Sequence, residues 1–69
     1  KLFATLLDSG KSLSYDVAPG RALWVQAVSG KLSVNGIEIG TGDAAAITDE
    51  TKLVIDAKEN SHILLFDLN

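Results

Sequence analysis

The sequence predicts an all-β protein: a single small domain over residues 1–69, built as an antiparallel β-barrel or jelly-roll sandwich. Three observations carry this reading. Apolar and polar residues alternate with period two along most of the chain. Turn signals rich in Gly, Pro, Asn and Asp break the alternation at short intervals. No long window shows apolar residues at the i, i+3, i+4, i+7 spacing of an amphipathic helix. The most helix-tolerant stretch, Asp43-Ala44-Ala45-Ala46, is short and follows a Gly-x-Gly turn. Seven or eight short strands joined by glycine-rich turns make a closed barrel or a sandwich.

The elements follow in order. Leu2 to Leu7 is an apolar-rich run ended by Asp8-Ser9-Gly10. Ser12 to Val17 alternates Ser-Leu-Ser-Tyr-Asp-Val and stops at the turn Pro19-Gly20. Ala22 to Ser29 reads as a strand buried on much of both faces. Lys31 to Val34 and Ile37 to Ile39 flank Asn35-Gly36, the strongest short-range hairpin signal, because a type I′ turn needs positive φ at both central residues. Gly40-Thr41-Gly42-Asp43 is a further turn, with Asp43 expected to bond its own backbone. Ala44 to Thr48, Lys52 to Ala57 and His62 to Leu68 complete the strands.

Length and charge bound the function. A chain of 69 residues buries only about 60% of the surface its unfolded form exposes, so its core is marginal unless something covers it. The net charge is −3 and the six basic residues stand singly, which excludes a nucleic-acid surface. The longest uncharged run, Ala22 to Gly30, falls short of the ~20 apolar residues that span a bilayer. Zero Cys leaves no disulfide framework and no thiolate site. The opening KLFATLLDSG lacks the marks of a signal peptide, and a cytoplasmic location is expected. The absence of an initiator Met leads us to expect a piece of a longer protein or a trimmed product. With so little core, association is the expected further source of stability.

The run Trp24-Val-Gln-Ala-Val-Ser-Gly-Lys-Leu-Ser-Val-Asn-Gly36, followed by Gly42-Asp43, Asp49-Glu50 and Leu64-Leu-Phe-Asp-Leu68, resembles the C-terminal half of pirin-like proteins. These are two-cupin proteins, several of them described as quercetin 2,3-dioxygenases. The resemblance implies a cupin-type β-barrel, normally fused behind a second cupin that carries the iron site. The general cupin pattern can be laid on the chain. Its first motif, Gly-x5-His-x-His-x4-Glu-x6-Gly, runs from Gly10 to Gly30 and puts Asp16, Ala18 and Leu23 at the ligand positions. Its second, Gly-x5-Pro-x-Gly-x2-His, starts at Gly42 and puts Thr48, Glu50 and Leu53 where Pro, Gly and His stand. The glycines are kept and the imidazoles are not. Iron or manganese in such a barrel needs about three imidazoles and a carboxylate converging on one point. No metal-binding, catalytic or cofactor-binding residue is therefore assigned, and iron is expected only in a partner cupin of the full family protein.

The remaining candidates have bland readings. His62 is the only histidine and is expected at an exposed or edge-strand position. Asp49 and Glu50 are adjacent, so in extended chain they point to opposite faces and do not converge. No Gly-x-Ser-x-Gly elbow marks a serine nucleophile. Tyr15, Trp24, Gln26 and Phe66 are the candidates for an interface or a pocket. If Trp24 and Gln26 share a strand face with Phe66 or Leu68 nearby, that face is a partner surface. The functional expectation is a non-catalytic cupin that pairs with a second cupin domain or forms a homodimer. The alternative is a free-standing mini-cupin holding a small apolar ligand in its barrel, and the least favoured is a metal-dependent dioxygenase in its own right.

Overall fold

The structure, a computed structural model, describes residues 2–68. It contains eight strands: β1 (Leu2–Leu7), β2 (Ser12–Asp16), β3 (Ala22–Ser29), β4 (Lys31–Val34), β5 (Ile37–Gly40), β6 (Ala44–Ile47), β7 (Lys52–Ala57) and β8 (Ser61–Leu68). They form two four-stranded antiparallel sheets, ordered β1-β8-β3-β6 and β2-β7-β4-β5. Successive strands pass mostly from one sheet to the other, the winding of a jelly roll. No helix is present among the described residues, and the Asp43–Ala46 stretch contributes to strand β6. None is therefore long and apolar enough to cross a membrane.

Most strands follow the period-2 rule, β4 being the exception with Leu32, Ser33 and Val34 all buried, and the inner phase makes one core. Leu23, Val25 and Ala27 of β3, Leu32 and Val34 of β4, Leu53 and Ile55 of β7, and Ile63 and Leu65 of β8 are buried between the sheets. Side chains alternate across a strand, so their neighbours in sequence face outward. Burying a Leu, Ile or Val contributes about 1.5–3 kcal/mol each, and this layer is the main source of stability.

Two turns show why particular residues are needed. Asn35 and Gly36 both have positive φ, +47° and +85°, as the type I′ hairpin between β4 and β5 requires. Asn35 does more than tolerate that conformation. Its side-chain amide donates to the Lys52 carbonyl at 3.1 Å and accepts from the Val54 N–H at 2.7 Å, tying the hairpin to β7. Gly30, between β3 and β4, has φ +101°, and a Cβ there would lie 2.6 Å from the Asn60 carbonyl oxygen and 2.7 Å from the Ser61 Cα. Only glycine fits.

Candidate functional site

The six positions of the cupin metal pattern divide into two kinds. Leu23 and Leu53 are fully buried members of the core. Asp16, Ala18, Thr48 and Glu50 are exposed at one end of the sandwich. There the β2–β3 loop, Val17 to Arg21, with Ala22 at the start of β3, faces the β6–β7 turn, Thr48 to Thr51, across an open cleft of about 420 Å³. Asp49 in that turn adopts φ +58°, so Asp49 and Glu50 are not the extended pair the sequence suggested; both line the cleft. These residues do not fit a transition metal. Leucine and alanine have no donor atom, and among the described residues no three His, Cys, Asp or Glu side chains are grouped so as to hold one.

Beside this cleft the two sheets are joined by a polar cluster. Asp67 lies in the inner phase of β8, after Ile63 and Leu65, with its side chain only 11% exposed. Tyr15 of β2, in the opposite sheet, donates its hydroxyl to Asp67 Oδ2 at 2.6 Å. Arg21 donates its Nε–H to Asp67 Oδ1 at 2.8 Å and reaches the Asp67 carbonyl at 3.4 Å. The Tyr15 hydrogen bond, with the Arg21 guanidinium second, holds the Asp67 carboxyl below its ordinary range. The same bond raises the Tyr15 phenol above its own. Phe3 packs its ring against Tyr15, with centroids 5.7 Å apart and tilted by 59°. No buried side-chain polar atom among the described residues lacks a partner. The cluster clamps β2 and the β2–β3 loop to β8 in the opposite sheet.

The candidates named from sequence therefore separate. Tyr15 belongs to this clamp and packs against the core. Trp24, Gln26 and Phe66 lie together on the outer face of the β1-β8-β3-β6 sheet, where Trp24 is directly opposite Phe66 and Ala22 opposite Leu68. The register extends this face outward: Leu2 is opposite Phe66, Ala4 opposite Leu64, and Leu6 opposite His62 on one side; Trp24 is opposite Ala46 and Gln26 opposite Ala44 on the other. Directly paired residues share a face. Leu6 is 76% exposed, Leu2 59% and Trp24 41%. Among the described residues Gln26, Ser29 and His62 are the polar side chains that the register places there, and it places no Asp, Glu, Lys or Arg there. His62 sits on β8, an interior strand of the sheet, and is half-buried. The edge-strand expectation is corrected by strand order, which period-2 patterning does not encode. Asp43 behaves as expected, accepting from the Gly40 N–H at 3.0 Å. Sequence reasoning missed Asp67 and Arg21, although a carboxylate in the buried phase of an apolar strand is itself a signal that a partner must exist.

Comparison with known proteins agrees with this architecture. The family model described as the quercetinase C-terminal cupin domain matches residues 1–68. An Escherichia coli K12 protein named quercetin 2,3-dioxygenase is 41% identical over 68 residues, covering 99% of this chain and 29% of its own length. The crystal structure of YhhW from Escherichia coli superposes with a TM-score of 0.97 at 35% identity, covering 99% of this chain and 29% of that one. A structure of the same bacterial pirin in complex with nickel(II) gives a TM-score of 0.95 at 36% identity, covering 97% and 29%. The chain thus spans under a third of the length of these relatives. On the match along its whole described length, the chain belongs to the quercetinase C-terminal cupin domain family.

Proposed function

We propose that this chain is a non-catalytic cupin, the structural half of a longer quercetinase-like protein, which works by packing against a second folded unit. The observation that carries the reading is the interior. Where the general cupin pattern has metal ligands, Leu23 and Leu53 join a contiguous aliphatic core. A metal-dependent dioxygenase needs donors converging on an open coordination position, and these side chains have none to offer. Any quercetin 2,3-dioxygenase activity, with its iron or other metal, belongs on this reading to the rest of the longer protein. The alternative of a small apolar ligand held inside the barrel finds no support in an interior filled by its own side chains. The second unit is a companion cupin domain or, for the chain by itself, a second copy in a homodimer. A cysteine-free chain suits the reducing cytoplasm.

The test is metal retention. The 69-residue chain is incubated with Fe(II) or Ni(II), desalted, and its metal measured by mass spectrometry. No stoichiometric metal is expected, and one ion per chain would overturn the reading.

A further inference from the structure

An asparagine followed by glycine is the side-chain amide most open to attack by its own backbone, because glycine has no side chain to shield its N–H. Asn35-Gly36 is the one such pair in the chain, and both residues are exposed at the tip of the β4–β5 hairpin. The fold nonetheless holds the reacting group. The Asn35 backbone N–H donates to the Val54 carbonyl at 2.9 Å. The Val54 N–H donates back to Asn35 Oδ1 at 2.7 Å, and Asn35 Nδ2 donates to the Lys52 carbonyl at 3.1 Å. Both ends of the amide are thus seated on β7. The backbone around it is fixed in the left-handed conformation of the turn, with φ +47° at Asn35 and +85° at Gly36. Ring closure draws Cγ onto the Gly36 nitrogen and rotates the Asn35 backbone, which the seated amide and the turn resist together. Reaction therefore waits on a local opening of the hairpin tip.

We propose that Asn35-Gly36 is a latent deamidation site, closed while the hairpin is seated on β7, opened when it lifts, and converted to a product that does not reseat. The Gly36 nitrogen loses its proton to hydroxide and attacks Asn35 Cγ. Nδ2 takes up a proton and leaves as ammonia, and a cyclic succinimide remains. Water then adds to one of the two ring carbonyls and breaks its bond to the Gly36 nitrogen. Cleavage at Cγ gives Asp, and cleavage at the backbone carbonyl gives isoaspartate. The net change is ammonia for water, with nothing oxidised or reduced. Asp at this position has no N–H for the Lys52 carbonyl and turns a carboxylate oxygen towards it. Isoaspartate adds a carbon to the backbone of a two-residue turn, where loop length sets the register of the strands. Either product takes the net charge of the chain from −3 to −4. Each conversion thus records that the hairpin was open, and the marked chain returns to a looser sandwich.

The test uses the intact gene product that contains these 69 residues, held at mildly alkaline pH in buffer and in guanidinium chloride. Trypsin cuts after Lys31 and Lys52, so the peptide Leu32–Lys52 reports Asn35 by its mass and by the split elution of its Asp and isoaspartate forms. In guanidinium Asn35 should convert many-fold faster than Asn60, which precedes Ser61. In buffer its conversion should be slower by about tenfold or more, the effect of two side-chain hydrogen bonds that must first break. Protection of the Val54 amide from hydrogen exchange should match that suppression within a few-fold, because the same opening frees its N–H. Equal conversion of Asn35 in the two solvents would overturn the proposal, as would free conversion in buffer beside a strongly protected Val54. As a second measurement, Asn35→Asp should lower the Tm of the intact product. A Tm equal to that of the wild type would show that the product reseats and would sink the one-way character of the site.

Discussion

The two outer surfaces of the sandwich arise from the same alternating pattern but present opposite chemistry to water. On β2-β7-β4-β5 the outward phase is Ser12, Ser14 and Asp16 on one strand and Lys52, Val54 and Asp56 on the next, with Ser33 opposite Glu38 beyond. On β1-β8-β3-β6 it is Leu2, Ala4 and Leu6, then His62, Leu64, Phe66 and Leu68, then Ala22, Trp24, Gln26 and, past a bulge, Ser29. An antiparallel sheet needs only its inner phase apolar to fold, and a solvated outer phase is normally polar. The polar sheet meets that minimum. The apolar sheet exceeds it, with outward apolar side chains that the sandwich does not need in order to fold.

Four substitutions sharpen or break this contrast. The largest effect should come from the interior, where the two sheets are equivalent. Ile63→Ala from the apolar sheet and Ile55→Ala from the polar one should each cost about 2–5 kcal/mol in urea unfolding. A markedly smaller cost for one would mean that the core is not shared equally and that the contrast reaches inside. Next comes the clamp that joins the sheets. Asp67 is held below the ordinary carboxylate value of 3.8, so its contribution is present above that pH and is lost as pH falls through the depressed value. Tyr15 is held above 10.0, so its share is present below that pH and is lost as pH rises through the raised value. Asp67→Asn should lower Tm at pH 7 and flatten both the acid and the alkaline limbs of the Tm–pH curve; unchanged limbs would show that the sheets do not depend on this carboxylate. The smallest effect belongs to the polar sheet alone. Asn35→Ala removes two side-chain hydrogen bonds to β7 and should cost about 1 kcal/mol. Faster amide exchange should follow at Val54, with none at Leu64 in the other sheet.

Much of this was legible in the residues. All eight strands were expected, most boundaries lie within one residue of those observed, and Asn35-Gly36 turns as its type demands. That Trp24 and Gln26 share a face followed from parity, since they stand two apart on one strand, whereas Phe66 joins them only because β8 pairs with β3. What stayed hidden depends on which strands become neighbours. That β8 runs between β1 and β3, taking His62 away from an edge, is set by contacts far apart in sequence. The meeting of Tyr15, Arg21 and Asp67 needs three elements to arrive at one end of the sandwich, and no local pattern records it. The left-handed backbone at Asp49 is likewise imposed by the path of the β6–β7 turn rather than by a glycine.

The pairing of β1 with β8 brings Leu2 level with Phe66, so the first and last strands of the sandwich lie side by side. A domain whose first and last strands are adjacent can be joined to other chain at one place on its surface, because neither connection must cross the body. Both end strands also belong to the greasy sheet. Whatever leans on that sheet fastens entrance and exit together, as a single clasp would, and fraying at one end is then resisted by the grip on the other.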